Sequence, residues 1–233
     1  MSECPYKIKC NGKDCASDFC LRRFKLEYLF DYALIPESQR KYFNLFTDED
    51  GTDYAEFTKL AEIEKDAETF VKSGRNLYLH SSICGNGKSS WAIRILKSYI
   101  FKTWAQGELT CKALFISVPR FLLALKDSIS NKNEYADHIQ KYILTADLVI
   151  WDDIAAKVGS EFELNHLLSL IETRISSGKS NIFTSNLDTK AMKEALGERI
   201  TSRICNLSID IELRGSDKRQ LLEKAIRAQE VKE

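Results

Sequence analysis

Asn76-Leu-Tyr-Leu-His80, followed by Ser81-Ser-Ile-Cys-Gly-Asn-Gly-Lys-Ser89, decides the fold. The apolar run reads as a short strand that breaks into a glycine-containing turn ending in Lys-Ser. Ser90-Trp-Ala-Ile-Arg-Ile-Leu-Lys-Ser-Tyr99 comes next, with Ala92, Ile95, Leu96 and Tyr99 at helical spacing. Strand, tight loop and helix in that order give a Gly-Lys-Ser match its meaning. Gly85 and Gly87 let the backbone curl until several N–H groups face one point. The helix N-terminus adds its positive end there. Lys88 brings a point charge for β- and γ-phosphates, and the Ser89 hydroxyl suits a magnesium ion. Ser82, Gly85, Asn86, Gly87, Lys88, Ser89 and Ser90 are therefore expected to line a Walker A cradle for ATP. Ser82 stands where a first glycine is usual, and so small a residue still permits the turn. The competing reading is a surface Gly-Asn-Gly turn in front of an ordinary helix.

A second stretch weighs against that alternative. Asp147-Leu-Val-Ile-Trp-Asp-Asp153 is an apolar run closed by two carboxylates. Buried parallel strands look like this, and ligands sit at their C-terminal ends. Asp152 is placed to hold Mg2+ through its water shell. Asp153, one residue on, can orient or deprotonate an attacking water.

A chain of 233 residues predicts one ordinary domain with a small appendage. Lysine plus arginine equals aspartate plus glutamate, so any contact with DNA has to come from local patches rather than bulk charge. No apolar run is long enough to span a membrane, and Met-Ser-Glu-Cys is not a secretory start. Seven cysteines without a secretory signal point to a reducing, cytoplasmic compartment.

Residues 1–23 stand apart from the rest. Cys4, Cys10, Cys15 and Cys20 lie among Lys7, Lys9, Lys13, Arg22 and Arg23, with almost no apolar periodicity. So short a piece cannot bury a core of its own. Four thiolates around zinc would supply one, although the spacings are wider than a Cys-x2-Cys knuckle. Unliganded cysteines and an iron–sulfur cluster remain the alternatives. Residues 24–47 read as a linker of short helices, and Asp48-Glu-Asp-Gly51 is a turn signal. Tyr54 to Lys72 reads as one helix. Lys112–Val118 is a second core strand, and Pro119 can open the next helix at its first position. A helix spans 133–145. Ser160 and Glu163 form a capping box for the helix after the acidic strand. Asn181–Asn186 is a further strand, and Asp188 caps a helix running to about Ile204. Ser208–Leu213 alternates like a half-exposed edge strand, and Gly215–Arg219 opens a last helix. Strands alternating with helices predict an α/β three-layer sandwich around a mostly parallel sheet.

In this order, Ser82–Ser89, Asp152-Asp153, Thr184-Ser-Asn186, Glu198-Arg-Ile-Thr-Ser-Arg203 and Asp217-Lys-Arg219 resemble the AAA+ ATPases of the DnaC, DnaI and IstB group. These are P-loop NTPases that load helicases or serve transposition. The similarity covers about residues 50–219. It implies an ATPase domain over 48–233 with a reduced C-terminal lid, behind a cysteine-rich module of residues 1–47 that would grip the helicase and could bind Zn2+. It implies Asn186 as the first sensor and Arg219 as the second. Arg203 would be the arginine finger reaching a neighbouring subunit's nucleotide, with Arg199 four residues away competing for that role. Asp153 departs from the glutamate most AAA+ proteins carry, so hydrolysis is expected to be slow.

The leading expectation is thus an ATP- and Mg2+-dependent homo-oligomer that loads a DnaB-type replicative helicase onto single-stranded DNA during DNA replication, with no membrane role. Lys157 is one guess for a strand contact. An IstB-like transposition ATPase is the near alternative. A small-molecule kinase would want a mobile arginine-bearing lid. A nucleotide-dependent DNA-binding module with little turnover stays open because of the Asp-Asp pair.

Overall fold

The computed structural model describes residues 21–40, 45–103, 110, 112–128, 130–156 and 160–219. The four N-terminal cysteines and Lys157 lie outside the described residues, as does the continuation beyond Arg219 of the helix expected from the sequence. The described strands are β1 (Asn76–His80), β2 (Ala113–Ser117), β3 (Leu148–Asp152), β4 (Ser180–Ser185) and β5 (Ser208–Glu212). They form one sheet in the order β2-β3-β4-β1-β5, and every neighbouring pair is parallel. The glycine loop therefore leaves the strand between β4 and the edge strand β5. Strand β4 separates it from the acidic strand β3, so all three strand ends open on the same edge.

The helices are α1 (Leu21–Tyr32), α2 (Tyr54–Lys65), α3 (Ala67–Lys72), α4 (Lys88–Thr103), α5 (Val118–Asp127), α6 (Glu134–Tyr142), α7 (Glu161–Ser176), α8 (Thr189–Leu196) and α9 (Glu198–Asn206), with a 3-10 turn at Glu37–Gln39. Side chains alternate across each strand, and both faces are covered, as a parallel sheet requires. Leu77, Leu79, Leu148, Ile150 and Ile182 join one core with α1 to α4. Tyr78, Leu114, Ile116, Val149, Trp151 and Phe183 join the other with α5 to α9. This is the three-layer α/β sandwich expected from the alternation of elements.

Several local expectations hold. Ser160 accepts from the Glu163 N–H while the Glu163 carboxylate accepts from the Ser160 N–H, closing the capping box. Asp188 accepts from the Ala191 N–H at 2.7 Å. Others need correction. The helix read over 54–72 is two, because Asp66 leaves helical geometry at φ −121°, ψ 41° and caps both pieces. The helix read from Asp188 to Ile204 is also two. Gly197 has φ 82°, which only glycine takes freely, and the chain turns there. Helix α5 starts at Val118, so Pro119 is its second residue.

The segment read as a linker of short helices is part of the core. Leu26, Phe30, Ala33 and Ile35 are buried and pack with the α4 side of the sheet. The Ala33 carbonyl accepts the Phe115 N–H at 2.8 Å, which covers the edge of β2. Lys97 of α4 donates to the carbonyls of Gln39 and Arg40 at 3.0 and 2.9 Å, tying the 3-10 turn down. On the other face, Arg174 is fully buried. It donates to the Asn181 side-chain oxygen and to the carbonyls of Ile143, Ala146 and Ser180. One guanidinium thus pins α7 to the starts of β3 and β4. Among the described residues, no helix is long and apolar enough to cross a membrane.

Candidate functional site

The loop between β1 and α4 has the shape its glycines suggest. Gly85 and Gly87 sit at φ 78° and 107°. The positive φ at Gly85 calls for glycine, and a Cβ there would stand 1.9 Å from Asp217 Oδ1 and push that carboxylate aside. Ser82 is not among the described non-glycine residues with positive φ, which are Leu34, Asp53 and Asp153, so the loop makes no demand for glycine there. Asn86 is fully buried. Its amide donates to Ser81 Oγ at 2.6 Å and to the Leu213 carbonyl at 3.1 Å, and its oxygen accepts from Lys88. Only its backbone is left to meet a ligand.

Lys88 is buried, and its ammonium donates to the Ile83 carbonyl at 2.9 Å and to Asn86 Oδ1 at 3.3 Å. Both acceptors are neutral, and among the described residues Lys88 has no ion-pair partner. Burial pulls its pKa down, while Asp153 and Asp152 oppose that shift and Arg219 adds to it. A buried cation held by neutral oxygens at a helix N-terminus is what a phosphate group would fit. Ser90 follows on the first turn of α4, half-buried.

The two acids arrive from β3. Asp152 accepts from Thr184 Oγ1 at 2.7 Å, and the Ser89 hydroxyl acts on it as well. Burial raises its carboxyl above the usual range, and the Ser89 and Thr184 hydroxyls work the other way. Serine and aspartate oxygens side by side suit a hard divalent ion, which keeps several waters and takes its remaining ligands from phosphate. Asp153 adopts φ 53°, a left-handed backbone that aspartate tolerates at a cost of about 1 kcal/mol. Its carboxylate faces Asn186, whose amide reaches Oδ1 at 3.5 Å. The structure thus brings Lys88, Ser89, Asp152, Asp153 and Asn186 to one sheet edge.

Arg219 lies beside them. It is exposed, and its Nε stands 3.9 Å from Asp217. Its segment folds back over the glycine loop: the Lys218 N–H donates to the Gly85 carbonyl at 3.0 Å and Leu213 N–H to the His80 carbonyl at 2.9 Å. Asp53 accepts the amides of Arg214 and Gly215 at 2.8 and 2.7 Å. Asp48 accepts from the N–H and hydroxyl of Ser216, both at 2.7 Å. Arg199 and Arg203 lie elsewhere. Both are exposed on α9 and share Glu172 of α7, at 3.1 and 3.4 Å.

Sequence reasoning gave no role to Thr184, Asp48, Asp53 or Glu172. Only Thr184 carried a signal, as a hydroxyl directly after the apolar pair Ile182-Phe183 and two residues before Asn186. The proposed zinc ligands Cys4, Cys10, Cys15 and Cys20 lie outside the described residues. Among the residues that are described, no group of three or more His, Cys, Asp or Glu could hold a metal.

A parallel sheet in this strand order, with a lysine loop after β1 and an acid pair on β3 two strands away, is the fold of an AAA+ P-loop NTPase domain. Solved structures agree. The chain superposes on a putative primosome component from Streptococcus pyogenes with a TM-score of 0.62, at 20% identity, over 82% of this chain and 98% of that one. It superposes on the crystal structure of DnaI with a TM-score of 0.58, at 23% identity, over 77% of this chain and 94% of the other. Within that fold the chain resembles the DnaC/DnaI-type helicase loaders. It is 23% identical over 127 residues to the replicative helicase loader DnaC of Escherichia coli K12, covering 54% of this chain and 49% of that protein. The chain spans about half the length of the Escherichia coli relative, and less of others it matches. No family model matches it.

Proposed function

We propose that this chain is an ATP-dependent loader that places a DnaB-type ring helicase on single-stranded DNA during replication. The observation that carries the reading is the convergence of Lys88, Ser89, Asp152, Asp153 and Asn186 at one sheet edge, in a chain similar to DnaC. Bound ATP with magnesium supplies a γ-phosphoryl group whose transfer to water needs positioning and charge stabilisation. Lys88 exchanges its two neutral acceptors for phosphate oxygens. Ser89 and Asp152 would hold a magnesium ion, whose charge would help neutralise the phosphate oxygens. Asp153 orients the attacking water or takes its proton, with Asn186 alongside as the first sensor. Arg219 reaches the phosphates from the folded-back segment.

Arg203 acts in trans, with Arg199 as its competitor. Their position supports this reading. They are tethered to Glu172 on an exposed face, where a neighbouring subunit's phosphate would compete for them. The protein therefore works as a homo-oligomer with nucleotide at its subunit contacts. Residues 1–47 are the candidate helicase grip, and their four cysteines the candidate zinc ligands. The compartment is the cytoplasm.

The test is co-purification of the full chain with a replicative ring helicase, with and without ATP, and with metal analysis of the same sample. ATPase rates with and without single-stranded DNA accompany it. Capture of the helicase and nucleotide turnover support the loader. Capture of a transposase instead identifies the IstB-like alternative, and binding without turnover identifies a nucleotide-dependent DNA-binding module.

A further inference from the structure

Asp152 and Asp153 are consecutive, and consecutive residues of a strand point to opposite faces of the sheet. An extended pair could not present both carboxylates to one ligand. Something has to turn the chain between them, and the structure shows what does. One step past the paired Trp151 and Phe183, Asp152 lies beside Thr184, which is fully buried. The Thr184 Oγ1 accepts the Asp153 N–H at 3.0 Å. The Thr184 carbonyl accepts the next N–H, that of Ile154, at 3.0 Å. One residue of β4 thus takes two successive amides, one with its side chain and one with its main chain. An ordinary ladder does not do this. Asp153 is left at φ 53°, with its carboxylate toward Asn186.

Because the hydroxyl oxygen receives the amide, its own hydrogen is committed to Asp152 Oδ1, at 2.7 Å. Asp152 is thereby held by Thr184. We propose that Thr184 is a positioning residue for ATP hydrolysis. Its single hydroxyl aims Asp152 at the magnesium position and locks the backbone turn that brings Asp153 to the same side. The proposal deepens the ATPase reading and rests on it.

The experiment compares the full-length wild type with T184V, T184S and T184A. Affinity for a fluorescent ATP analogue is measured in EDTA and in magnesium, together with kcat, KM and the melting temperature. All four chains are expected to bind alike in EDTA. Magnesium should tighten binding by wild type and T184S, while T184V and T184A lose most of that gain. In those two, kcat should fall by about a hundredfold, the scale of misplacing a reacting group by about an ångström, with a smaller change in KM. If T184V fails to fold, the serine–alanine comparison decides. A T184V chain with the full magnesium gain and normal kcat overturns the proposal. So does a T184S chain as impaired as T184A, because packing of the methyl group would then be the cause. A wild type that binds no nucleotide at all removes the ATPase reading first, and the role of Thr184 with it.

Discussion

Arg174→Met is the most demanding test of how the site is held. The substitution keeps an apolar stem of similar length and removes every donor. Four contacts vanish, at 2.7 Å to Asn181 Oδ1, 2.5 Å to the Ile143 carbonyl, 2.8 Å to the Ala146 carbonyl and 2.7 Å to the Ser180 carbonyl. Asn181 Oδ1 keeps the Trp151 indole N–H at 3.0 Å, so it is not orphaned, whereas the three carbonyls lose this donor. At about 1 kcal/mol per hydrogen bond the loss is about 4 kcal/mol. Relief from keeping a guanidinium out of water offsets part of it. A net destabilisation of about 3 kcal/mol corresponds to a fall in melting temperature of about 9 °C for a domain of this size. Urea unfolding followed by far-ultraviolet circular dichroism measures it. Because Arg174 pins the starts of β3 and β4, nucleotide affinity should fall as well, even though the residue sits at the far end of those strands from the phosphate loop. A variant as stable as wild type would refute the reasoning, since the guanidinium would then contribute no more than a hydrocarbon of the same shape.

Lys88→Ala should weaken ATP-analogue binding by about three decades, the equivalent of one charge pair at about 4 Å in a partly screened site, about 4 kcal/mol; isothermal titration reads it. Arg203→Ala should leave binding intact and lower turnover by about a thousandfold, and normal hydrolysis by that variant ends its assignment as the finger. Cys84 is exposed in the glycine loop, so maleimide labelling of that one peptide, followed by mass spectrometry, should slow when ATP is bound and be unaffected by free adenosine at equal concentration. Burial, with Arg94 assisting and Glu27 and Glu64 opposing, pulls the Lys97 ammonium down to about 8. From there to the unfolded value of 10.5 the unfolded chain binds the extra proton, so stability rises with pH across that window. The gain between pH 7.5 and 9.5 should be about 2 kcal/mol, and Lys97→Met should abolish it in urea titrations.

Much of this architecture was readable because the signals are local. Lys88, Gly85 and Gly87 sit within one turn, and Asp152 and Asp153 close an apolar run. The strands differ from their expected bounds by a residue or so because hydrophobic runs of that length have few other uses. What escaped reading was long-range or conformational. No pattern announces that Asp53 will hold the amides of Arg214 and Gly215, or that Glu172 will gather two arginines from another helix. The broken helices at Asp66 and Gly197 escaped because apolar spacing continues across both breaks. The segment around Leu26 and Phe30 passed for a linker because a short amphipathic piece looks the same whether it docks or not. Arg174 gave no sign either: a lone arginine on a helix is ordinarily solvated, and only the packed neighbours reveal otherwise.

The clasp over the glycine loop has a consequence for how the protein comes into being. Asp53 waits for partners more than 160 positions downstream, and contacts so distant along a chain form late. A ribosome finishes β1 and the cradle long before it delivers Lys218 to the Gly85 carbonyl. A product cut short near Glu212 would possess every described strand and still have an unlatched mouth. Until Arg214, Gly215 and Ser216 are made, Asp53 and Asp48 lack the amides they hold in the finished fold, so the closing of this loop belongs to the end of synthesis.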